Sequence, residues 1–95
     1  MTDGALEPLW RHLLGRRLRE LRLANGEKLS ETAARAGISP QYLSEIERGL
    51  KEPSSEILAA IGESLDTTLL DLTVGVARRL HADRAAARGE YTLAA

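Results

Sequence analysis

The 95-residue sequence contains no cysteine and no phenylalanine, a single tryptophan and two tyrosines. The missing cysteines exclude disulfide staples, thiolate zinc sites and cysteine nucleophiles, and they fit a reducing cytoplasm. No apolar run approaches the roughly 18–20 residues a membrane span needs. The opening Met1-Thr2-Asp3-Gly4 lacks the basic start and apolar stretch of a signal peptide, so a soluble, cytoplasmic protein is expected. β-branched apolar residues are also scarce: 2 Val and 4 Ile stand against 17 Leu and 14 Ala. Unbranched and small side chains favour helix over strand. With so few aromatics, the core must be thin layers of Leu, Ile and Ala between closely packed helices, which is an all-α bundle. A chain this short buries only about 60–65% of its unfolded surface and supports one core.

Catalytic signatures are missing as well. His12 and His81 are the only histidines, and there is no nucleophile elbow, phosphate-cradling glycine loop or paired histidine for a metal. Both histidines read as surface or partly packed side chains. The expectation is no enzyme, no metal and no cofactor.

What is present is a charge asymmetry. Net charge is −1, yet residues 11–51 carry nine Lys or Arg against five Asp or Glu, while residues 52–95 carry four against seven. The first stretch suits a polyanion, and the second a solvated or protein-contacting face.

Leu6, Leu9, Trp10, Leu13, Leu14, Leu18 and Leu21 recur at steps of three and four, predicting a helix from about Pro8 to Ala24, with Asn25-Gly26 as its stop. Arg11, Arg16, Arg19 and Arg22 occupy its other face. Leu29 to Ala36 makes a short second helix ended by Gly37. Ser39-Pro40 opens a third, with Ser39 as N-cap, Leu43 and Ile46 inward and Gly49 at its end. Ser54 caps a fourth helix to about Leu65, with Ile57, Leu58 and Ile61 inward; Gly62 within it implies close contact with a neighbouring helix. Thr68 and Asp71 form a capping pair for a fifth, whose stripe Leu69, Leu72, Val76, Leu80 either breaks near Gly75 or continues to about Ala87. The chain divides into an extension of the first helix (1–13), a central domain (14–72), a C-terminal helical extension (73–88) and a flexible tail (89–95).

The informative feature is the pair of short helices joined by Ala36-Gly37-Ile38-Ser39. Ala33 is small where the two cross, Gly37 supplies a positive φ, and Ile38, Leu43 and Ile46 lock the second helix on the first. Together with Leu14 to Arg22, Tyr42 to Gly49, Pro53-Ser54 and Leu69 to Leu72, these residues resemble the phage-repressor-like (xenobiotic-response-element, Cro/C1-type) family of helix-turn-helix regulators over residues 14–72. Within that family the Tyr42 to Gly49 string, Lys51-Glu52 and Ser54-Ser55-Glu56 are similar to the actinobacterial regulators of Clp protease genes.

The resemblance implies a five-helix DNA-binding domain whose recognition helix, residues 40–48, enters the major groove of a pseudo-palindromic operator. It places Ser39, Pro40, Gln41, Ser44 and Glu45 toward the bases. Gln41 suits adenine N6 and N7; Glu45 either accepts from cytosine N4 or orients a neighbour. Tyr42, Arg48, Lys51 and Lys28 are candidates for phosphate, fixing register without reading sequence. The family often has Thr or Ser capping the second helix and a polar residue next, whereas this chain has Lys28 and Leu29, leaving Lys28 and backbone N–H groups to replace the usual contact. Arg22 and Glu47 stand where the family has a bracing ion pair.

A symmetric homodimer is expected through Leu6, Leu9, Trp10, Leu13, Val76 and Leu80, whose alternative is to cover one another within one chain. Trp10 reads as interfacial packing rather than a base stack. The ending Leu93-Ala94-Ala95 is similar to tags read by Clp-type proteases, implying a degron and a Clp-type protease partner; the Clp-gene resemblance also implies activation and contact with RNA polymerase. The competing function is an antitoxin that binds a toxin protein through its terminal helices and its own operator through the same helix-turn-helix.

Overall fold

Four of the helices end in the same local device. The computed structural model describes residues 3–87, with side chains from Leu9 to Ala86. It contains α1 (Asp3–Ala24), α2 (Leu29–Ala36), α3 (Pro40–Glu47), α4 (Ser55–Ser64) and α5 (Leu69–Ala87), with no strand among the described residues. At the end of α2, Gly37 has φ 75°. Its N–H bonds the Ala34 carbonyl at 3.2 Å, and the Ile38 N–H reaches back to Ala33 at 3.0 Å. This Schellman pairing satisfies two orphan carbonyls and turns the chain sharply into α3. The same crossed bonds close α1 at Gly26 and α3 at Gly49. In α4 the left-handed residue is Asp66, with φ 60°, a conformation that Asp tolerates better than most side chains.

Starts are equally local. The Oγ of Ser39 accepts from the Tyr42 N–H at 3.0 Å, that of Ser54 from Ile57 at 3.2 Å, and Thr68 Oγ1 from Asp71 at 3.0 Å. One boundary differs from the sequence reading. α1 begins at Asp3 instead of Pro8, passing through a proline that has no N–H to give the carbonyl four residues back. Of the two courses left open for α5, the helix takes the continuous one, running past Gly75 to Ala87 although that residue lowers helix stability by about 1 kcal/mol relative to Ala.

Packing sets α1 against α3 and α5, and α4 against α2 and α5, with α2 and α3 in mutual contact. Leu14, Leu18, Leu43, Ile46, Ile61, Leu72 and Val76 are completely or almost completely buried, with Leu13, Ala33, Leu58 and Leu65 completing the cluster. A Cβ on Gly62 would lie 3.1 Å from Leu72 Cδ1 and 3.2 Å from the Thr67 carbonyl, so the close approach expected there is made by α5 and the turn before it. Leu13 and Val76 correct the sequence reading: at 4% and 1% exposure they lie in the core between α1 and α5 of one chain and offer nothing to a second copy. They also place the ends of the two supposed extensions inside the central domain. No described helix is long and apolar enough to cross a membrane.

Candidate nucleic-acid interface

An eight-residue helix is too short to persist alone in water, so α3 depends on what it leans on. An α-helix advances about 100° per residue, which puts Leu43, Ile46 and Glu47 on one side of α3 and Gln41, Ser44, Glu45 and Arg48 on the other. The first three are buried. On the second side Gln41 and Arg48 are exposed, and Ser44 and Glu45 half-buried. Ser39 and Pro40 are exposed at the start of the helix. The Ser39 oxygen is engaged as the N-cap, which leaves its O–H free to donate outward.

The rear of α3 is seated unusually closely. Gly15 of α1 faces its last turn, where a Cβ would stand 2.4 Å from the carbonyl oxygens of both Ile46 and Glu47. Two turns further along α1, Arg22 reaches the same end of α3: its Nε and Nη2 donate to the two carboxylate oxygens of Glu47 at 2.7 and 2.8 Å. This bidentate pair is nearly sealed, with side-chain exposures of 9% and 5%. Hydrogen bonding to Glu47 holds the Arg22 guanidinium above its ordinary pKa, outweighing desolvation. Arg22 therefore does not belong to the exposed arginine face of α1, where the sequence pattern also placed it.

The remaining Arg22 donor extends the brace. Nη1 bonds the Glu27 carbonyl at 2.9 Å. The Glu27 carboxylate accepts from Thr32 Oγ1 and from Arg35 Nη2, and Arg35 also donates to the Ser64 carbonyl at 2.7 Å. One polar chain thus links α3, α1, the turn before α2, α2 itself and the end of α4. Sequence reasoning missed the members beyond Arg22 and Glu47, since nothing in the spacing of Glu27, Thr32, Arg35 and Ser64 marks a cluster. Thr32, fully buried, was legible only as one of several small residues on α2. The bonds from Arg35 and Thr32 hold the Glu27 carboxyl below its usual range.

Among the phosphate candidates, Arg48 and Lys51 extend from a braced turn: a Cβ at Gly49 would lie 3.1 Å from the His12 Cα, so α1 supports the chain leaving α3. Both are exposed, as is Lys28, the N-cap residue of α2. The Lys28 N–H is occupied by Glu31 Oε1 at 2.7 Å, so its side chain rather than that N–H is available outward. Tyr42 is half-buried, packed on the core. The structure gathers Gln41, Ser44, Glu45 and Arg48 on one stripe, with Arg22 and Glu47 behind it. Of the proposed dimer residues, Leu9, Trp10 and Leu80 are partly buried against the core. The Leu6 side chain and the Leu93-Ala94-Ala95 ending lie outside the described residues.

Comparison with known proteins identifies the family and fold. The helix-turn-helix family pattern matches residues 18–72. The transcriptional regulator ClgR of Mycobacterium tuberculosis is 42% identical over 88 residues, spanning 88% of this chain and 79% of its own. The crystal structure of the clp gene regulator ClgR from Corynebacterium glutamicum superposes with a TM-score of 0.77 at 39% identity, covering 92% of this chain and 93% of that one. The restriction-modification controller protein C.AhdI from Aeromonas hydrophila does so with a TM-score of 0.63 at 31% identity, over 65% of this chain and 94% of that one.

Proposed function

The chain belongs to the helix-turn-helix family of transcriptional regulators, and we propose that it controls genes of the Clp protease system by sequence-specific binding to double-stranded DNA. The reading rests on one observation: an outward stripe of Gln41, Ser44, Glu45 and Arg48 on a short helix whose opposite side is fixed by Gly15 and by the bidentate Arg22–Glu47 pair. A helix held that rigidly, with its N-terminal turn projecting, suits the major groove. Gln41 presents the donor and acceptor that adenine N6 and N7 require. Ser39, Pro40, Ser44 and Glu45 complete the base-facing set. Lys28, Tyr42, Arg48 and Lys51 grip phosphate, which positions the helix without reading sequence. The Clp link comes from the two ClgR relatives; the antitoxin alternative draws no specific support from them.

A single such helix reads only a few base pairs, so two copies act together. Two-fold pairing sets recognition helices about 34 Å apart, on half-sites one helical turn from each other. Selection of bound sequences from a random duplex pool tests the proposal and should return a pseudo-palindrome with that spacing. On the selected site, Gln41→Ala should weaken binding by about 1–3 kcal/mol and relax one base position. Arg48→Ala or Lys51→Ala should weaken all sequences alike and flatten the salt dependence by about one unit. Failure to enrich any sequence would overturn specific recognition, and equal losses on all base variants for Gln41→Ala would remove that residue from base readout.

A further inference from the structure

The side of α1 that faces away from α3 carries positive charge that a duplex lying on α3 cannot use. Gly15 and Arg22 mark the side of α1 turned to α3. At about 100° per residue, Leu13, Arg17 and Glu20 lie nearly opposite them, with Arg16 between. There α1 and α5 leave a cleft of about 150 Å³, with Leu13, Gly75 and Val76 at its base and Arg16, Arg17, Glu20 and Arg79 around its mouth. Arg17 is 3.7 Å from Glu20, so this pair is locally balanced. Arg16 and Arg79 make no ion pair among the described residues, leaving a surplus of two positive charges around a small apolar base.

Gly75 adds an independent observation. It sits inside an unbroken helix, is not among the glycines with positive φ, and a Cβ there would meet nothing within 4 Å. Neither backbone conformation nor internal packing requires the glycine, yet its missing side chain keeps the cleft open. A cavity of roughly this volume admits one benzene-sized group.

We propose that this α1–α5 cleft receives an acidic segment of a partner protein, one apolar side chain filling the space left open at Gly75 while flanking carboxylates meet Arg16 and Arg79. A second copy of this chain fits less well, because a two-fold contact would bring the same arginines face to face. Peptide binding stands whether or not α3 enters DNA; only simultaneous occupancy rests on the function proposed above.

The test is selection of peptides from a random phage-displayed library on the full chain, followed by fluorescence polarisation of the enriched peptides. Enrichment of Asp- and Glu-rich peptides bearing an apolar residue is expected. Their Kd should rise about tenfold or more in Gly75→Leu, which fills the cleft while favouring helix, and in Arg16→Glu with Arg79→Glu. Circular dichroism establishes that each variant is folded, and the arginine reversal decides the matter if Gly75→Leu is not. Affinity should be unchanged when the chain is saturated with its selected duplex. The proposal is overturned by enrichment of non-acidic peptides, by equal binding to the variants, or by failure to enrich any peptide. Displacement by DNA would make the cleft a phosphate-binding surface, and dissociation of a dimer by Gly75→Leu would make it a self-interface; either result also overturns it.

Discussion

The same substitution at two glycines should change stability in opposite directions. Gly15 and Gly75 both lie inside long helices, so replacement by alanine contributes about 1 kcal/mol of helix propensity at either site. At Gly75 the new methyl meets nothing within 4 Å, and Gly75→Ala should stabilise the domain by about 0.5–1 kcal/mol. At Gly15 the methyl would stand 2.4 Å from two carbonyl oxygens of α3, roughly an ångström inside contact distance. The obstacle is backbone, so relief requires α1 and α3 to part. That movement loosens the packing of Leu14 and Leu18 on Leu43 and Ile46 and stretches the Arg22–Glu47 bonds from 2.7 and 2.8 Å. Overpacking typically costs about 1–3 kcal/mol, more against main chain. With the strained ion pair added and propensity subtracted, Gly15→Ala should lose about 2 kcal/mol or more, a fall of roughly 8–16 °C in Tm for a domain of this size. Urea unfolding of the two variants beside the parent is the assay. A Gly15→Ala protein as stable as the parent would refute the claim that this seat is tight.

The buried pair should behave asymmetrically: Glu47→Leu alone should cost about 3–5 kcal/mol, whereas Arg22→Met with Glu47→Leu should recover much of that loss; with Arg22→Met alone the variants close a cycle that reads the coupling energy in denaturant melts. For Glu27, the folded carboxyl titrates below its unfolded value, so its contribution is complete above the ordinary carboxylate range and is lost as pH falls through the lower folded value. Glu27→Gln should therefore be less stable than the parent near neutrality and converge with it in acid; parallel stability curves down to the acid limb would contradict the network. For the proposed dimer, Leu80→Glu, altering a side chain only partly covered within the chain, should shift the sedimenting species from dimer to monomer; a parent that sediments as a monomer would overturn the dimer, and an unchanged dimer would place the interface elsewhere.

Legibility followed locality. Caps and stops that depend on a few consecutive residues were readable: Ser39, Ser54 and Thr68 at helix starts, Gly26, Gly37 and Gly49 at ends. Asp66 was not, because most residues avoid its backbone conformation and an aspartate there gives no glycine signal. Periodicity located Leu43, Ile46, Leu58 and Ile61 but could not say how far the core reached along α1 and α5. Leu13 and Val76 looked surplus to a small bundle until two long helices were seen to bury them against each other. The Arg22–Glu47 contact, 25 residues apart in sequence, was accessible only through family resemblance. Glu27, Thr32, Arg35 and Ser64 meet through tertiary packing with no local signature, and so remained hidden.

These contacts separate two ways of weakening DNA binding. A loss of about 2 kcal/mol from a typical stability of 5–15 kcal/mol leaves nearly every molecule folded. Apparent affinity falls in proportion to the competent fraction, which such a loss barely changes. Any sizeable fall in affinity for Gly15→Ala must then come from displacement of α3 in the folded protein, since Gly15 lies behind α3 and faces its last carbonyls. Gln41→Ala makes the opposite case, because its exposed side chain supports nothing in the core and its removal should leave the melting curve almost unmoved. The orientation of α3 is thus a property of α1, held by a missing methyl group and one guanidinium, while in the proposed function the base preference belongs to the stripe that α3 turns outward.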